Sequence, residues 1–172
     1  MDLRLEGKVV IVTGGFKGIG KAIALQCARE GMIPVVLNRK NDAAEPFEKE
    51  LKEITDKYSI YFIDLNNTDE IKPIVEDVVK KYGRIDAIVN NAGRNDNLDL
   101  ESNGWKEFEH SLHNNLTHYY ELVHQSVEYL KKSKGAIVNI SSKTALTGQG
   151  KTSAYAAALS LIHISEPTRR YA

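Results

Sequence analysis

Val9-Val10-Ile11-Val12 is an unbroken apolar, β-branched run near the start of the chain, with no polar residue alternating through it. Such a run predicts a strand buried on both faces of a parallel sheet. It stops at Thr13-Gly14-Gly15, and beyond Gly20 the pattern turns helical. Ile19, Ile23 and Cys27 then recur one turn apart, with Lys21, Arg29 and Glu30 on other faces. Gly31 reads as the stop of that helix and Ile33–Leu37 as a second strand. Asn41–Lys57 predicts a surface helix turning Phe47, Leu51 and Ile54 inward, and Ser59–Leu65 a third strand. Thr68 is expected to cap the next helix, with Asp69 and Glu70 in its first turn. Its stripe is Ile71, Ile74, Val75, Val78, Val79 and Tyr82, with Pro73 placed early and Gly83 closing it.

Ile85–Val89 predicts a fourth strand, running into Asn90-Asn91-Ala92-Gly93, and Arg94–Gly104 a polar loop. A long helix follows, with Phe108, Leu112, Leu116, Tyr119, Val123, Val127 and Leu130 on one side. Ala136–Ile140 predicts a fifth strand, then come Ser141, Ser142, a loop holding Gly148 and Gly150, and a last helix from about Thr152. Strands alternating with crossover helices imply an α/β fold with a doubly wound, right-handed parallel sheet of Rossmann-like type.

Totals narrow the function classes. At 172 residues one domain with a sizeable core is expected. Lys+Arg and Asp+Glu balance at 23 each, which leaves no electrostatic footprint for nucleic acid or an anionic membrane. The single cysteine, Cys27, excludes an internal disulfide and reads as core packing. Met1–Lys8 alternates charged and apolar residues, unlike a signal peptide, and no apolar run approaches membrane-spanning length. A soluble cytoplasmic protein is expected. The histidines lack zinc-site spacing, so no metal is expected either.

The candidate chemistry begins at the first turn. Strand, glycine turn and helix, spaced Gly14-x3-Gly18-x-Gly20, is the context for cradling a pyrophosphate against a helix N-terminus. A tight turn with no ligand remains the alternative. Arg39 and Lys40 follow the second strand, with Lys17 in the glycine turn and no carboxylate at Leu37 or Asn38. Basic residues there suit the 2′-phosphate of NADP, whereas an acidic one would suit NAD. NADP is favoured, NAD stays possible, and a solvated charge cluster is the competing explanation.

From Leu5 to Ala158 the motifs, in this order and spacing, resemble the short-chain dehydrogenase/reductase family. They are Thr13-Gly14-x3-Gly18-Ile19-Gly20, Asp64 after the third strand, Asn90-Asn91-Ala92-Gly93, Asn115, Ser142 and Tyr155. Asn115–Tyr120 (NLTHYY) and Asn139–Tyr155 look like the sugar dehydrogenases acting on L-fucose. The resemblance implies that Tyr155 exchanges a proton with a substrate oxygen, Ser142 holds that oxygen, and Asn115 positions a relay water. It implies that Asp64 and Leu65 lie at the adenine, and that Asn90, Ala92 and Gly93 lie at the ribose. Gly14, Gly18, Ile19 and Gly20 would face the pyrophosphate. A small alcohol or sugar is the implied substrate, and a homo-oligomer is implied for the complete protein.

One position breaks the pattern. The family has a lysine four residues after the tyrosine, where this chain has Leu159. A tyrosine hydroxyl ionises near ~10, and lowering that by roughly three units is worth about 4 kcal/mol, which leucine cannot supply. From Leu159 to Arg169 the chain resembles a transposase sequencing adapter translated codon for codon. The expectation is an incomplete dehydrogenase domain over 1–158, a non-native tail over 159–172, and a copy that is inactive and poorly soluble. Ala136–Ile140 would be an open sheet edge, and Leu159, Leu161, Ile162 and Ile164 would find nothing to pack against. The alternative is a catalytically dead nucleotide-binding fragment or pseudoenzyme. An unrelated Rossmann-like protein, such as a methyltransferase, is disfavoured by the Asn115, Ser142 and Tyr155 set.

Overall fold

The computed structural model describes residues 3–164. They form two compact units: residues up to Gly93 with Thr117–Ile140, and Arg94–Leu116 with the residues from Ser141 onward.

The first unit holds the sheet. Its strands are β1 (Val9–Thr13), β2 (Ile33–Asn38), β3 (Ser59–Phe62), β4 (Ala87–Asn90) and β5 (Ala136–Asn139). They lie in the order β3-β2-β1-β4-β5, every pair parallel. The chain winds outward from β1 to β3 and then resumes on the other side at β4. The topological switch point therefore falls between β1 and β4, where open α/β sheets take their ligands.

Side-chain alternation explains why β1 carries no polar residue before Thr13. Val9 and Ile11 face one core with Val35, Leu37 and Ile88, against Ile71, Val75 and Val78 of α3 (Ile71–Tyr82) and Leu122 and Leu130 of α5 (His118–Ser133). Val10 and Val12 face the other with Val36 and Val89, against Ala24 and Leu25 of α1 (Gly18–Arg29) and Phe47 and Leu51 of α2 (Ala44–Lys52). All five β1 residues are at most 1% exposed, so both faces of the strand are core. The expected doubly wound parallel sheet is present.

Several elements differ from expectation. Helix α2 starts at Ala44, because the Asn41 side chain accepts the Ala43 N–H at 3.0 Å and makes a turn of the residues before it. Thr68 does not cap α3: Thr68–Glu70 forms a 3₁₀ turn that leads into the helix, with no side-chain cap. Strand β4 starts at Ala87 because Asp86 is turned to other work. Its carboxylate, 4% exposed, accepts the Val9 N–H at 2.8 Å and grips the Arg84 guanidinium through both oxygens. Strand β5 ends the sheet on its side, with Val138 48% exposed.

The expected long helix is α4 (Trp105–Leu112), a π-helical stretch (His113–Thr117) and α5. Its buried positions are Ser111 in α4, Asn115 in the π-helical stretch, and His118, Tyr119, Leu122, Ser126 and Leu130 in α5. Of the apolar stripe read from the sequence, Tyr119 and Leu130 are buried, Leu112, Leu116, Val123 and Val127 are half-buried, and Phe108 is 40% exposed.

The second unit holds α4, a short unforeseen helix α6 (Thr144–Thr147), and α7 (Ser153–Ser160) running into a 3₁₀ turn (Leu161–Ile164). Glu107 accepts the Gly104 N–H at 2.9 Å and so closes the start of α4. Leu98 O accepts from both the backbone and the hydroxyl of Ser153, fixing the start of α7. Leu159 and Ile162 are 3% and 8% exposed, contrary to the expectation that they would lack a packing partner; Leu161 is 39% exposed. An i, i+4 pair such as Ala154 and Ala158, both buried, presents a small-residue face that lets α7 sit close to its neighbours, and Leu159 follows it inward. The Ile164 side chain lies outside the described residues. Among the described residues no helix is long and apolar enough to cross a membrane.

Candidate active site

The nucleotide side belongs to the first unit. Thr13, 0% exposed at the end of β1, accepts the N–H groups of Asn91 and Ala92 on its hydroxyl, each at 2.9 Å. The Asn91 amide answers by donating to Thr13 O at 2.9 Å and Gly14 O at 3.2 Å. These bonds lock the ends of β1 and β4 together at the switch point. Gly14 then turns with φ +68°, and a Cβ on Gly20 would lie 2.4 Å from Gly14 O and 2.5 Å from Asn91 Nδ2. Only glycine fits there. Helix α1 opens at Gly18 with no side chain capping it, so its first N–H groups stay available for an anion. A dinucleotide pyrophosphate fits this cradle on both counts: backbone brought close and donors left open.

The other predicted nucleotide contacts divide into exposed and buried groups. Lys17, Ile19 and Arg39 are exposed, Ile19 by 60%. Arg39 Nη1 stands 4.0 Å from Asp64 Oδ2, with both side chains well exposed, a pairing weak enough for either to turn to a ligand. Asp64 also accepts the Asn66 N–H at 3.1 Å. Lys40 lies 5.9 Å over the Phe62 ring, and Phe62, 53% exposed, meets Phe16 edge-on at 6.1 Å. The Leu65 side chain is buried in the core, which leaves its backbone as the route to a ligand. Asn90 is fully buried and donates to Asn139 Oδ1 at 2.9 Å, so its amide ties β4 to β5. Ala92 is half-buried and Gly93 exposed.

The hydroxyl side belongs to the second unit, which contains all three of Asn115, Ser142 and Tyr155. Ser142 is half-buried just before α6, and its Oγ accepts from Thr144 N at 3.3 Å and Thr144 Oγ1 at 3.0 Å. With its lone pairs taken, the Ser142 proton is left to donate. Tyr155 lies on α7, half-buried, and among the described residues no protein group hydrogen-bonds its hydroxyl. Ser141, next to Ser142, donates to the Leu159 carbonyl at 3.2 Å, and Ser160 donates to Ala145 O at 2.8 Å. These bonds staple the Tyr155 helix to the Ser142 loop. Asn115 is 0% exposed in the π-helical stretch, its Oδ1 accepting the Arg94 N–H at 2.8 Å and its Nδ2 donating to Ser111 O at 3.0 Å.

Sequence reasoning did not assign Thr13, Asn91, Phe62 or Asp96 to the site. Thr13 and Asn91 stood inside quoted motifs, and a polar residue ending an otherwise apolar strand was the available signal. Nothing in the sequence set Asp96 apart from Asp99 three residues on.

A family profile described as short chain dehydrogenase matches residues 8–162, running past Ala158 into the segment read as foreign. The crystal structure of Cj0485 dehydrogenase is similar at TM-score 0.91 and 47% identity, over 94% of this chain and 62% of that one. The 3-oxoacyl-acyl-carrier-protein reductase FabG of Thermotoga maritima is 35% identical over 90% of this chain and 63% of its own. The L-fucose dehydrogenase of Rattus norvegicus is 33% identical over 90% of this chain and 56% of its own. The chain spans 53–63% of the length of these and other curated relatives.

Proposed function

Because the chain belongs to the short-chain dehydrogenase family, we propose that it derives from an NADP-dependent oxidoreductase interconverting a sugar or similar alcohol with its carbonyl. The supporting observation is the second unit itself: among the described residues, a Ser142 hydroxyl with its proton left free and a Tyr155 hydroxyl without a protein partner, on elements stapled to one another. When bound, the nicotinamide supplies or accepts hydride at the substrate carbon. Ser142 donates a hydrogen bond to the substrate oxygen. Tyr155 takes the hydroxyl proton in the oxidative direction and returns it in the reductive one. Asn115 holds a water through which that proton reaches solvent.

NADP is favoured over NAD because Lys17, Arg39 and Lys40 are exposed cations after β1 and β2, with Asn38 and not a carboxylate at the strand end. A sugar is favoured because L-fucose dehydrogenases are among the relatives and the Asn115–Tyr120 run resembles theirs. Residues 1–158 are dehydrogenase sequence in this reading and 159–172 are foreign to it. The complete protein is a homo-oligomer, and the exposed apolar residues of α4 and α5, Phe108 and Tyr120, suit that.

A second reading is a nucleotide-binding fragment or pseudoenzyme. Leu159 favours it, since a buried leucine stands where the family has its lysine ammonium. One comparison separates the two. The 172-residue chain is assayed with NADP and L-fucose or related sugars beside an extended protein, carrying lysine at 159 and a family C-terminal region. Activity in the extended protein alone supports the proposal. Failure of both, with NADP still bound, favours the pseudoenzyme. Resequencing the source DNA across codon 158 tests the boundary independently.

A further inference from the structure

Asp96 lies in an exposed loop, yet its side chain is only 5% exposed, while Arg94 two residues earlier is 63% exposed. Its two oxygens have separate tasks. Oδ1 accepts from Arg94 Nε at 3.0 Å, and Oδ2 faces Asn115 Nδ2 at 3.4 Å. Arg94 meets the same pair from its other end, its backbone N–H donating to Asn115 Oδ1 at 2.8 Å. The three residues thus close a ring around the Asn115 carboxamide, which Ser111 O completes at 3.0 Å and Ser111 Oγ at 3.4 Å.

The ring discriminates between the two amide orientations. In the observed one every donor meets an acceptor. Turned over, Nδ2 would face the Arg94 N–H and Oδ1 would face a carboxylate and a carbonyl, leaving buried polar groups opposed. A carboxylate makes that opposition stronger than a neutral acceptor would, because both side chains are buried. Arg94 fixes the carboxylate, so the loop that follows Asn90-Asn91-Ala92-Gly93 is pinned to the π-helical stretch at one point.

We propose that Asp96 is a positioning residue for Asn115: anchored by Arg94, it fixes the asparagine in the orientation that the proton relay uses. This rests on the reading of Asn115 as the holder of the relay water.

The test uses Asp96→Ala and Asp96→Asn with two readouts. In the 172-residue chain, hydrogen exchange at the Arg94 amide is expected to rise about tenfold in D96A, as loss of one hydrogen bond's worth of order predicts, and to rise less in D96N, whose single carbonyl oxygen can accept from Asn115 while the exposed Arg94 side chain turns to solvent. In the extended protein, kcat is expected to fall about tenfold in D96A with the KM for cofactor unchanged, and to recover in part in D96N, which keeps one of the two acceptors. Wild-type exchange and wild-type kcat in D96A would overturn the inference, as would a loss of Tm that D96N shares in full. An extended wild-type protein without activity would instead sink the functional reading, and the exchange experiment would still decide the role of Asp96.

Discussion

Replacing Gly20 by alanine sets two effects against each other. In an open helix the change adds about 1 kcal/mol of stability. Here the added methyl would lie 2.4 Å from Gly14 O and 2.5 Å from Asn91 Nδ2. The first of these is backbone, and the second side chain is held by Thr13 O and Gly14 O, so neither can swing aside. Overpacking of this kind costs about 1–3 kcal/mol, so a net loss of up to about 2 kcal/mol is expected. The effect on cofactor should be larger. Any relief of the clash displaces the Gly14–Gly18 loop, and a lost hydrogen bond to a charged phosphate costs about 1.5–3 kcal/mol. That corresponds to a Kd about tenfold to a hundredfold weaker. Titration of NADPH fluorescence gives the Kd and thermal melting the stability. Gly83→Ala is the control: nothing lies within 4 Å of its Cβ, but its φ of +75° makes alanine strained, so it should lose stability without losing affinity. A Gly20→Ala protein that binds NADPH as tightly as wild type and melts with it would refute the cradle.

Three further outcomes are expected. Arg39→Ala should weaken NADP binding about tenfold, the scale of one charge-assisted contact, and leave NAD binding nearly unchanged, as isothermal titration with both would report. Asp86→Ala should cost about 1–3 kcal/mol in urea denaturation, because it strands the buried Val9 N–H, while the half-exposed Arg84 guanidinium it releases is rehydrated. Burial, and then the Asp77 carboxylate that its hydroxyl bonds, push the Tyr61 phenol well above its ordinary range. Its contribution to stability is therefore complete below the ordinary phenol range and lost as pH rises through the raised value. Burial and the Glu48 carboxylate raise Tyr58 too, so ultraviolet titration should find both tyrosines ionising after the exposed ones, and Tyr61→Phe should remove one of the two.

How far the sequence carries depends on which residue does the packing. Val9–Val12, Val35–Leu37 and Ile88–Val89 are strands because β-branched residues fill both cores, and a run with no polar member can mean little else. Gly14, Gly18 and Gly20 are legible for a related reason, since the positive φ of the first two and the close approach of Gly14 O to the third disfavour side chains. The long helix was legible in part. Tyr119 and Leu130 of the expected stripe do turn inward, but the buried positions also include Ser111, Asn115 and Ser126, while apolar Phe108 points outward, and a search for apolar periodicity does not see polar residues at buried positions. Asp86 and Asp96 were invisible because a buried carboxylate is made by its partners, Arg84 with Val9 N–H and Arg94 with Asn115, and none of those pairings has a spacing rule. Leu159 was legible as a missing cation and not as a buried side chain. Its 3% exposure shows that α7 can use leucine for packing at the position where the family uses lysine for chemistry.

The most direct measurement is the rate of sugar-dependent NADP reduction by the extended protein with Tyr155 and with Tyr155→Phe, alongside the NADPH Kd of each. The account predicts a fall of about a hundredfold or more in kcat for the phenylalanine variant, the scale of a lost general base, with the Kd unchanged. Equal rates at equal cofactor affinity would contradict it, because the proton would then have another carrier than the hydroxyl of α7.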